Sequence, residues 1–172
     1  MEFEKVLKKR HSIREFQEKK IPGKIIEKIL EMANLSPSTG NLQARSVIII
    51  KNKNIKEKIS EAALNQRFIA KAPLVFVVCA NLEESAQKYG KRGRLLYSIQ
   101  DATIFTSYLQ LAITNLGLAS CWVGAFKEDE IKDILDLSQE IKPIAIIPTG
   151  FADEEPRKTG RKNLDEIIKK EL

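Results

Sequence analysis

The chain has 172 residues, of which 43% are hydrophobic and 30% are charged, a composition typical of a folded globular protein. Its net charge of +6 favours anionic ligands. However, only 6% of residues are aromatic, and they do not alternate with basic residues in a stripe, which argues against a nucleic-acid-binding surface. One histidine and two separated cysteines provide no zinc motif and no disulfide framework. The charged N-terminus and the lack of a long apolar segment lead us to expect a cytoplasmic protein that does not bind membranes.

Helical and strand patterns alternate along the chain and predict a single domain of class α+β over residues 1–172. The predicted helices are Glu2–Lys9, a segment from Pro22 that ends before Ser36, Asn54–Ala63, Arg94–Leu116, Glu128–Leu135 and Leu164–Lys170. The predicted strands are Ser46–Ile50, Leu74–Val78, Ala119–Gly124 and Ile144–Thr149. Continuous apolar runs indicate strands that are buried on both faces, so we expect a central sheet.

The most informative segment is Arg10-His11-Ser12-Ile13-Arg14-Glu15-Phe16. If this segment is extended, residues 10, 12 and 14 point to one face, and two guanidinium groups and a hydroxyl can converge on one anion. The planar fork of donors on arginine matches phosphate oxygens especially well. A solvated basic loop is the alternative interpretation of the same residues.

Several common catalytic patterns are missing from the sequence. There is no Gly-x-Gly-x-x-Gly motif after a strand and no Gly-rich loop ending in Gly-Lys-Ser/Thr, so nucleotide sites of these types lack support. His11 is flanked by Arg10, which argues against a catalytic triad, and the carboxylates of Glu83-Glu84 and Glu154-Glu155 are predicted to be solvated. An enzyme with this sequence would therefore depend on a cofactor rather than on a nucleophile, a general base or a metal ion.

Five groups of motifs, spread in order over nearly the whole chain, resemble those of the nitroreductase family of FMN enzymes. The matching segments are Arg10–Phe16, Ser36–Gln43, Asn65–Ile69 with Ala72-Pro73, Gln100–Ala102 with Gly117–Gly124, and Pro148–Phe151 with Arg161–Leu164. They resemble in turn the family patterns R-R-S-x-R-x-F, A-P-S-x-x-N-x-Q, N-x-x-(K/F)-I with A-P, Q-D-x with G-L-G-x-x-W-x-G, and P-x-G-Y with R-K-P-L. The resemblance implies a central, mainly antiparallel sheet flanked by helices.

The resemblance also implies an FMN site. The residues that it assigns to this site are Arg10, His11, Ser12, Arg14, Pro37, Ser38, Thr39, Asn41, Asn65, Gly124, Ala125, Arg161 and Lys162. Arg10, Ser12 and Arg161 are expected at the phosphate. Arg14 and Asn65 are expected at the pyrimidine edge of the flavin, where a cation raises the reduction potential.

Two further segments carry implications of the same resemblance. Gly124 and Ala125 resemble the backbone that faces flavin N5, although a strand-end turn also explains the glycine. The loop Pro37–Asn41 binds the FMN of the other subunit in this family, so we expect a homodimer with FMN at the interface. Residues Phe151–Leu172 would wrap around the partner, and docking of this tail on its own chain is the alternative.

The sequence departs from the family pattern at several positions. Ala44-Arg45 stands where many relatives have Pro-Trp, and His11 stands where they have arginine. Phe68 stands where some relatives have a lysine near the flavin edge, so Arg14 would act there without a second cation. Between Leu82 and Arg94 there is room for about one helix, and we expect no substrate-covering insertion.

The expected function is that of an FMN-dependent oxidoreductase. It would pass hydride from NADH or NADPH through the flavin to a small acceptor, such as a nitroaromatic or a quinone, by a ping-pong mechanism. The same fold hosts reductive dehalogenation and flavin cleavage, so another flavin reaction is one alternative. A nucleic-acid-binding module, suggested only by the net charge, is another.

Overall fold

Apolar segments pair into a four-stranded sheet in the computed structural model, which describes residues 1–157 and 159–171. The strands are β1 (Arg45–Ile50), β2 (Leu74–Asn81), β3 (Ala119–Ser120) and β4 (Ile141–Gly150). Their spatial order is β1-β2-β4-β3, and each neighbouring pair is antiparallel. The predicted α+β class with a mainly antiparallel sheet is confirmed.

Helices cover both faces of this sheet. They are α1 (Phe3–Lys9), α2 (Gly23–Asn34), α3 (Lys53–Ala62), α4 (Phe68–Lys71), α5 (Leu82–Arg92), α6 (Ser98–Asn115), α7 (Glu128–Leu135) and α8 (Leu164–Ile167). The predicted long helix is α6, and a π-helical turn at Gly93–Tyr97 precedes it. Within residues 1–157 and 159–171, no helix combines the length and the apolar character needed to cross a bilayer.

The strand β2 explains why both faces must be covered. Every residue from Leu74 to Ala80 is buried. Phe76 and Val78 belong to a core cluster with α2 and α6, whereas Val75 and Val77 belong to a second cluster with α3 and α7. Each such side chain stabilises the fold by about 1.5–3 kcal/mol, so the sheet and both helical layers depend on one another.

The strand predicted at Ala119–Gly124 is shorter than expected and ends after two residues. The Cys121 N–H donates to the Pro148 carbonyl at 3.3 Å, but proline has no N–H with which to return the bond. Pairing with β4 resumes only as a bridge between Val123 and Ile146. The prediction was wrong here because the interruption comes from a proline on the partner strand.

The C-terminal helix is also shorter than predicted, because α8 spans Leu164–Ile167 rather than Leu164–Lys170. The side chains of its apolar stripe are exposed, Leu164 by 72% and Ile167 by 60%. The alternative that this tail docks on its own chain therefore holds for residues 151–154, which bond to residues 14–17, but not for α8. Lys158 and Leu172 of the expected wrapping segment lie outside the described residues.

Candidate functional site

The segment Arg10–Arg14 forms one wall of a cavity of about 640 Å³. It runs beside the end of β3, where Ser12 pairs with Ser120 in parallel orientation and the Ile13 N–H donates to the Ser120 carbonyl at 3.1 Å. Ile13 is buried, and the other four residues of the segment line the cavity. The edge of the sheet therefore holds this segment extended, as predicted, with both arginines on the cavity side.

Gly150, at the end of β4, allows the N-terminal segment to pack closely against that strand. A Cβ atom at this position would lie 2.8 Å from Pro73 and 3.0 Å from the Phe16 ring. Phe16 also forms an antiparallel bridge with Ala152. Gly150 of the Pro-x-Gly motif is therefore required if Phe16, which follows the cavity-lining segment, is to pack closely against the end of β4.

The C-terminal segment supplies further polar groups to the cavity. Arg157 and Thr159 line it, but Arg161 and Lys162 do not, and both are exposed. An Arg161 guanidinium nitrogen donates to Thr159 Oγ1 at 3.2 Å and to the Gly160 carbonyl at 3.0 Å. Arg161 therefore lies next to a lining residue, and Arg157 is the cation that the described part of this segment places in the wall.

Asn65 and the dipeptide Gly124-Ala125, both expected around the flavin ring, lie close to one another. The side chain of Gln66, the residue after Asn65, donates to the Ala125 carbonyl at 3.0 Å. The Arg14 guanidinium lies 5.7 Å from the centre of the Phe68 ring, which connects this region to the cavity wall. Within the described residues, the N–H groups of Gly124-Ala125 donate to no acceptor, so they are available to a ligand.

The loop Pro37–Asn41 lies elsewhere in the chain. Pro37, Ser38 and Thr39 line a separate groove of about 550 Å³ together with the first turns of α6. The Thr39 N–H and hydroxyl both donate to Oδ1 of Asp101, at 2.8 and 3.1 Å. Asn41 is exposed. One chain therefore places four of the thirteen predicted residues, those of the segment Arg10–Arg14, on the cavity and places this loop on a separate groove.

Both cysteines are free and buried, as predicted. Burial raises the pKa of Cys79 to about 12. Burial also raises the pKa of Cys121, which lies behind the cavity wall, although the charge of Arg14 and a hydrogen bond with Ser12 oppose this effect. Neither thiol is ionised at neutral pH, so both act as packing groups.

A sequence profile described as the Nitroreductase family matches residues 7–66 and 60–151, well over half of the chain. The chain belongs to the nitroreductase family. The matched residues include the cavity wall, the loop on the separate groove and the Gly124-Ala125 segment. All the site elements described above, apart from the C-terminal tail, therefore lie within the residues that match the nitroreductase family.

Relatives cover nearly the whole length of this nitroreductase-family chain. An NADH dehydrogenase of Thermus thermophilus is 26% identical over 187 aligned positions, which cover 93% of this chain and 91% of that protein. A solved nitroreductase family protein of Clostridium difficile 630 is 32% identical and matches with a TM-score of 0.86, covering 100% of this chain and 99% of the other. An FMN-dependent nitroreductase of Clostridium difficile R20291 is 29% identical, with a TM-score of 0.78 and coverage of 93% and 92%. The nitroreductase-like fold is confirmed.

Sequence reasoning missed several residues at the two sites. Glu154, predicted to be solvated, is partly buried and lines the cavity, a position that was not predicted for it from the sequence. Its position shortly after the Pro148–Phe151 motif of the nitroreductase family, in the tail that carries Arg161, was a usable signal. Asp101 was recognised only as part of a motif, yet it is fully buried. An acid within the apolar pattern of the long helix signals a buried hydrogen-bond partner.

Proposed function

We propose that the chain is an FMN-dependent oxidoreductase that transfers hydride from NADH or NADPH to a small acceptor, such as a nitroaromatic or a quinone. The observation that carries this proposal is the cavity on which Arg10, Ser12, Arg14 and Arg157 converge. FMN, when bound, supplies a ring that takes up hydride from the nicotinamide and delivers it to the acceptor. The names of the Thermus thermophilus and Clostridium difficile R20291 relatives support the same assignment.

The donor set of the cavity fits a phosphate dianion. Guanidinium groups offer paired N–H donors, and Ser12 adds a neutral hydroxyl donor beside them. The bond from the Ile13 N–H to the Ser120 carbonyl holds the backbone of this segment before a ligand arrives, which reduces the ordering entropy lost on binding. We assign Arg10 and Ser12 to the phosphate, together with Arg157 in the wall and Arg161 beside Thr159.

The region next to Arg14, which its contact with Phe68 joins to the cavity, suits a flavin ring. Arg14 carries a positive charge that stabilises negative charge on the reduced ring, and Asn65 lies in the neighbouring segment. Because Phe68 occupies the position where some relatives have lysine, Arg14 supplies this charge without a cation from residue 68. The unused N–H groups of Gly124-Ala125 are donors for a ring acceptor. Hydride donor and acceptor would occupy the remaining space in turn, as a ping-pong mechanism requires.

A homodimer of single-domain chains, each spanning residues 1–172, would complete the site. The loop Pro37–Asn41 lines a groove apart from the cavity of its own chain, so we assign it to the FMN of the partner subunit. Ile104 and Tyr108 on α6 are 36% and 39% exposed and supply apolar surface for such an interface. The free cysteines suit a cytoplasmic location.

The first test of the proposal is FMN binding. The purified protein should be yellow or should take up added FMN, and Arg10→Ala should weaken that binding by about tenfold or more through loss of charge-assisted hydrogen bonds. Lys8→Ala is a matched control, since this exposed cation is close in sequence but does not line the cavity. A colourless protein that fails to take up FMN would contradict the proposal.

The second test separates an NAD(P)H oxidoreductase from another flavin protein of the same fold. Anaerobic stopped-flow mixing with NADH or NADPH should bleach the visible flavin absorption. Steady-state rates at several acceptor concentrations should give parallel double-reciprocal lines. FMN binding without bleaching by either nucleotide would favour a different reaction.

A further inference from the structure

Glu154 lies in the wall of the cavity, together with three arginines and one other acid, Glu15. Its Oε1 accepts two successive backbone N–H groups, from Arg14 at 2.5 Å and from Glu15 at 3.2 Å. The first of these bonds joins residues 140 positions apart in the chain. Hydrogen bonds to a carboxylate are stronger than those between neutral groups, so this contact fixes the backbone at the point where Arg14 enters the cavity.

The contact belongs to a longer junction between residues 14–17 of the N-terminal segment and residues 151–154 of the C-terminal segment. The Asp153 N–H donates to the Glu15 carbonyl at 3.0 Å, and the Gln17 N–H donates to the Phe151 carbonyl at 3.0 Å. Glu15 itself lines the cavity, whereas Gln17 does not. The bonds accepted by Glu154 carry the junction one residue further, to the arginine that lines the cavity. Without them, the backbone would still be held at Ile13 and at Glu15, but the Arg14 N–H would donate to no acceptor among the described residues.

The charge of Glu154 opposes the ligand that the cavity attracts. A carboxylate and a bound anion repel each other, and the half-buried position of this side chain limits screening by water. Its two backbone donors are neutral and leave the negative charge in place. The same side chain therefore orders the site and lowers the affinity of the site for anions, and the two effects have opposite signs.

We infer that Glu154 is a positioning residue, which holds the Arg14 backbone so that the guanidinium faces the cavity and which repels the bound anion through its charge. The inference rests on the proposed function only in identifying that anion as the FMN phosphate. Glutamine at this position keeps an oxygen that can accept both N–H groups but carries no charge. Alanine keeps neither the acceptor nor the charge.

The test compares Glu154→Gln, Glu154→Ala and a matched control, Glu155→Gln, which removes the same charge from the exposed neighbouring residue. Hydrogen exchange of ligand-free protein should speed up about tenfold at the Arg14 and Glu15 amides in Glu154→Ala, and by less than about threefold in Glu154→Gln. Titration with inorganic phosphate should show about threefold tighter binding in Glu154→Gln than in wild type. Glu154→Ala should bind phosphate about tenfold more weakly than Glu154→Gln, which has the same charge.

The outcomes separate this inference from the proposed function. Unchanged exchange at the two amides in Glu154→Ala would overturn the positioning role. Phosphate binding in Glu154→Gln that is no tighter than in Glu155→Gln would overturn the charge effect. If Glu154→Ala fails to fold, the tighter binding by Glu154→Gln still supports the inference. Wild-type protein that binds phosphate but not FMN contradicts the proposed function alone, and protein that binds neither contradicts both.

Discussion

Asp101 shows at the scale of one residue how a buried carboxylate orders a binding loop. Its side chain is 0% exposed, and its Oδ1 accepts both donors of Thr39. The two residues that follow in the loop, Gly40 and Asn41, both have φ of 57°. This conformation costs a residue other than glycine about 1–2 kcal/mol, so the loop needs an anchor.

Substitution of Asp101 tests this anchoring role. Asp101→Ala should weaken FMN binding by about tenfold because the loop loses both hydrogen bonds. Asp101→Asn should stay within about threefold of wild type, since the amide oxygen can accept both bonds. Fluorescence titration with FMN measures both affinities.

Thr106→Val provides the control for Asp101. Thr106 is also buried on α6, but its hydroxyl donates only to the Ala102 carbonyl of the same helix, at 2.7 Å. This variant should lose stability without losing FMN affinity. The anchoring role is wrong if Asp101→Ala behaves in the same way as Thr106→Val.

Local patterns predicted the cavity wall but not the residues that position it. Alternation along Arg10–Arg14 was sufficient to place both arginines on one side, because an extended backbone has a period of two. Glu154, which holds this segment, lies 140 positions away from Arg14. Spacing within either segment contains no information on such a contact, since it depends on how β4 ends beside the N-terminal segment.

At the scale of elements, Glu128 joins the start of α7 to β4. Its carboxylate accepts from Lys132 of the same helix at 3.1 Å and from Lys142 of the strand. Burial alone would raise the pKa of Glu128, but hydrogen bonds from Lys142 and Lys132 and their charges outweigh burial and lower it. A lowered pKa in the folded state means that ionised Glu128 stabilises the fold.

Glu128→Gln should therefore lower the free energy of unfolding by about 1 kcal/mol at neutral pH, where the buried Lys132 loses its partner. The difference between wild type and variant is fully present above the unfolded pKa of glutamate. It should shrink as the pH falls through the lowered folded pKa, because the carboxyl then becomes neutral. Urea unfolding between about pH 7 and pH 3 measures this trend.

Glu130→Gln is the control for this pH dependence, since Glu130 pairs with Lys127 at an exposed position on the same helix. The change in unfolding free energy should stay within about 0.5 kcal/mol. An equal loss in both variants, or a Glu128→Gln difference that is constant with pH, would contradict the assigned role of Glu128.

Elements with a strong sequence pattern of their own were predictable, whereas an element end that depends on a neighbouring strand was not. The apolar run of β2 and the spacing along α6 located both elements, because burial on both faces and helical periodicity act within a segment, although β2 continues to Asn81 and α6 begins only at Ser98. The early end of β3 depends on Pro148 of β4, and nothing in the structure explains why α8 ends at Ile167.

At the scale of the whole molecule, the two halves of the predicted FMN site lie apart in one chain. Arg10 and Ser12 line the large cavity, whereas Pro37–Thr39 line the groove beside α6. Apolar residues remain exposed on α6 and α8, including Tyr108, Leu164 and Ile167. A two-fold dimer would cover such surfaces and repeat the same combined site twice, because each contact between copies occurs in both directions.

Mixed dimers test whether each site takes residues from both chains. A chain with Arg10→Ala and a chain with Asn41→Gly, carrying different affinity tags, are co-expressed and the mixed dimer is purified. If each site combines Arg10 of one chain with Asn41 of its partner, one site carries both substitutions and the other carries neither. The mixed dimer should then bind about half as much FMN as wild type, with wild-type affinity, while both parent dimers bind weakly.

The matched control for the mixed dimer joins an Arg10→Ala chain with a Ser12→Ala chain. These residues line the same cavity of one chain, so each combined site in this mixed dimer keeps one substitution and none is intact. Recovery of tight FMN binding only in the first pairing supports a site shared between subunits. Equally weak binding in both pairings, or light scattering that gives a single-chain mass near 19.5 kDa, would place the whole site within one chain. The exposed stripe on α8 would then need a different partner.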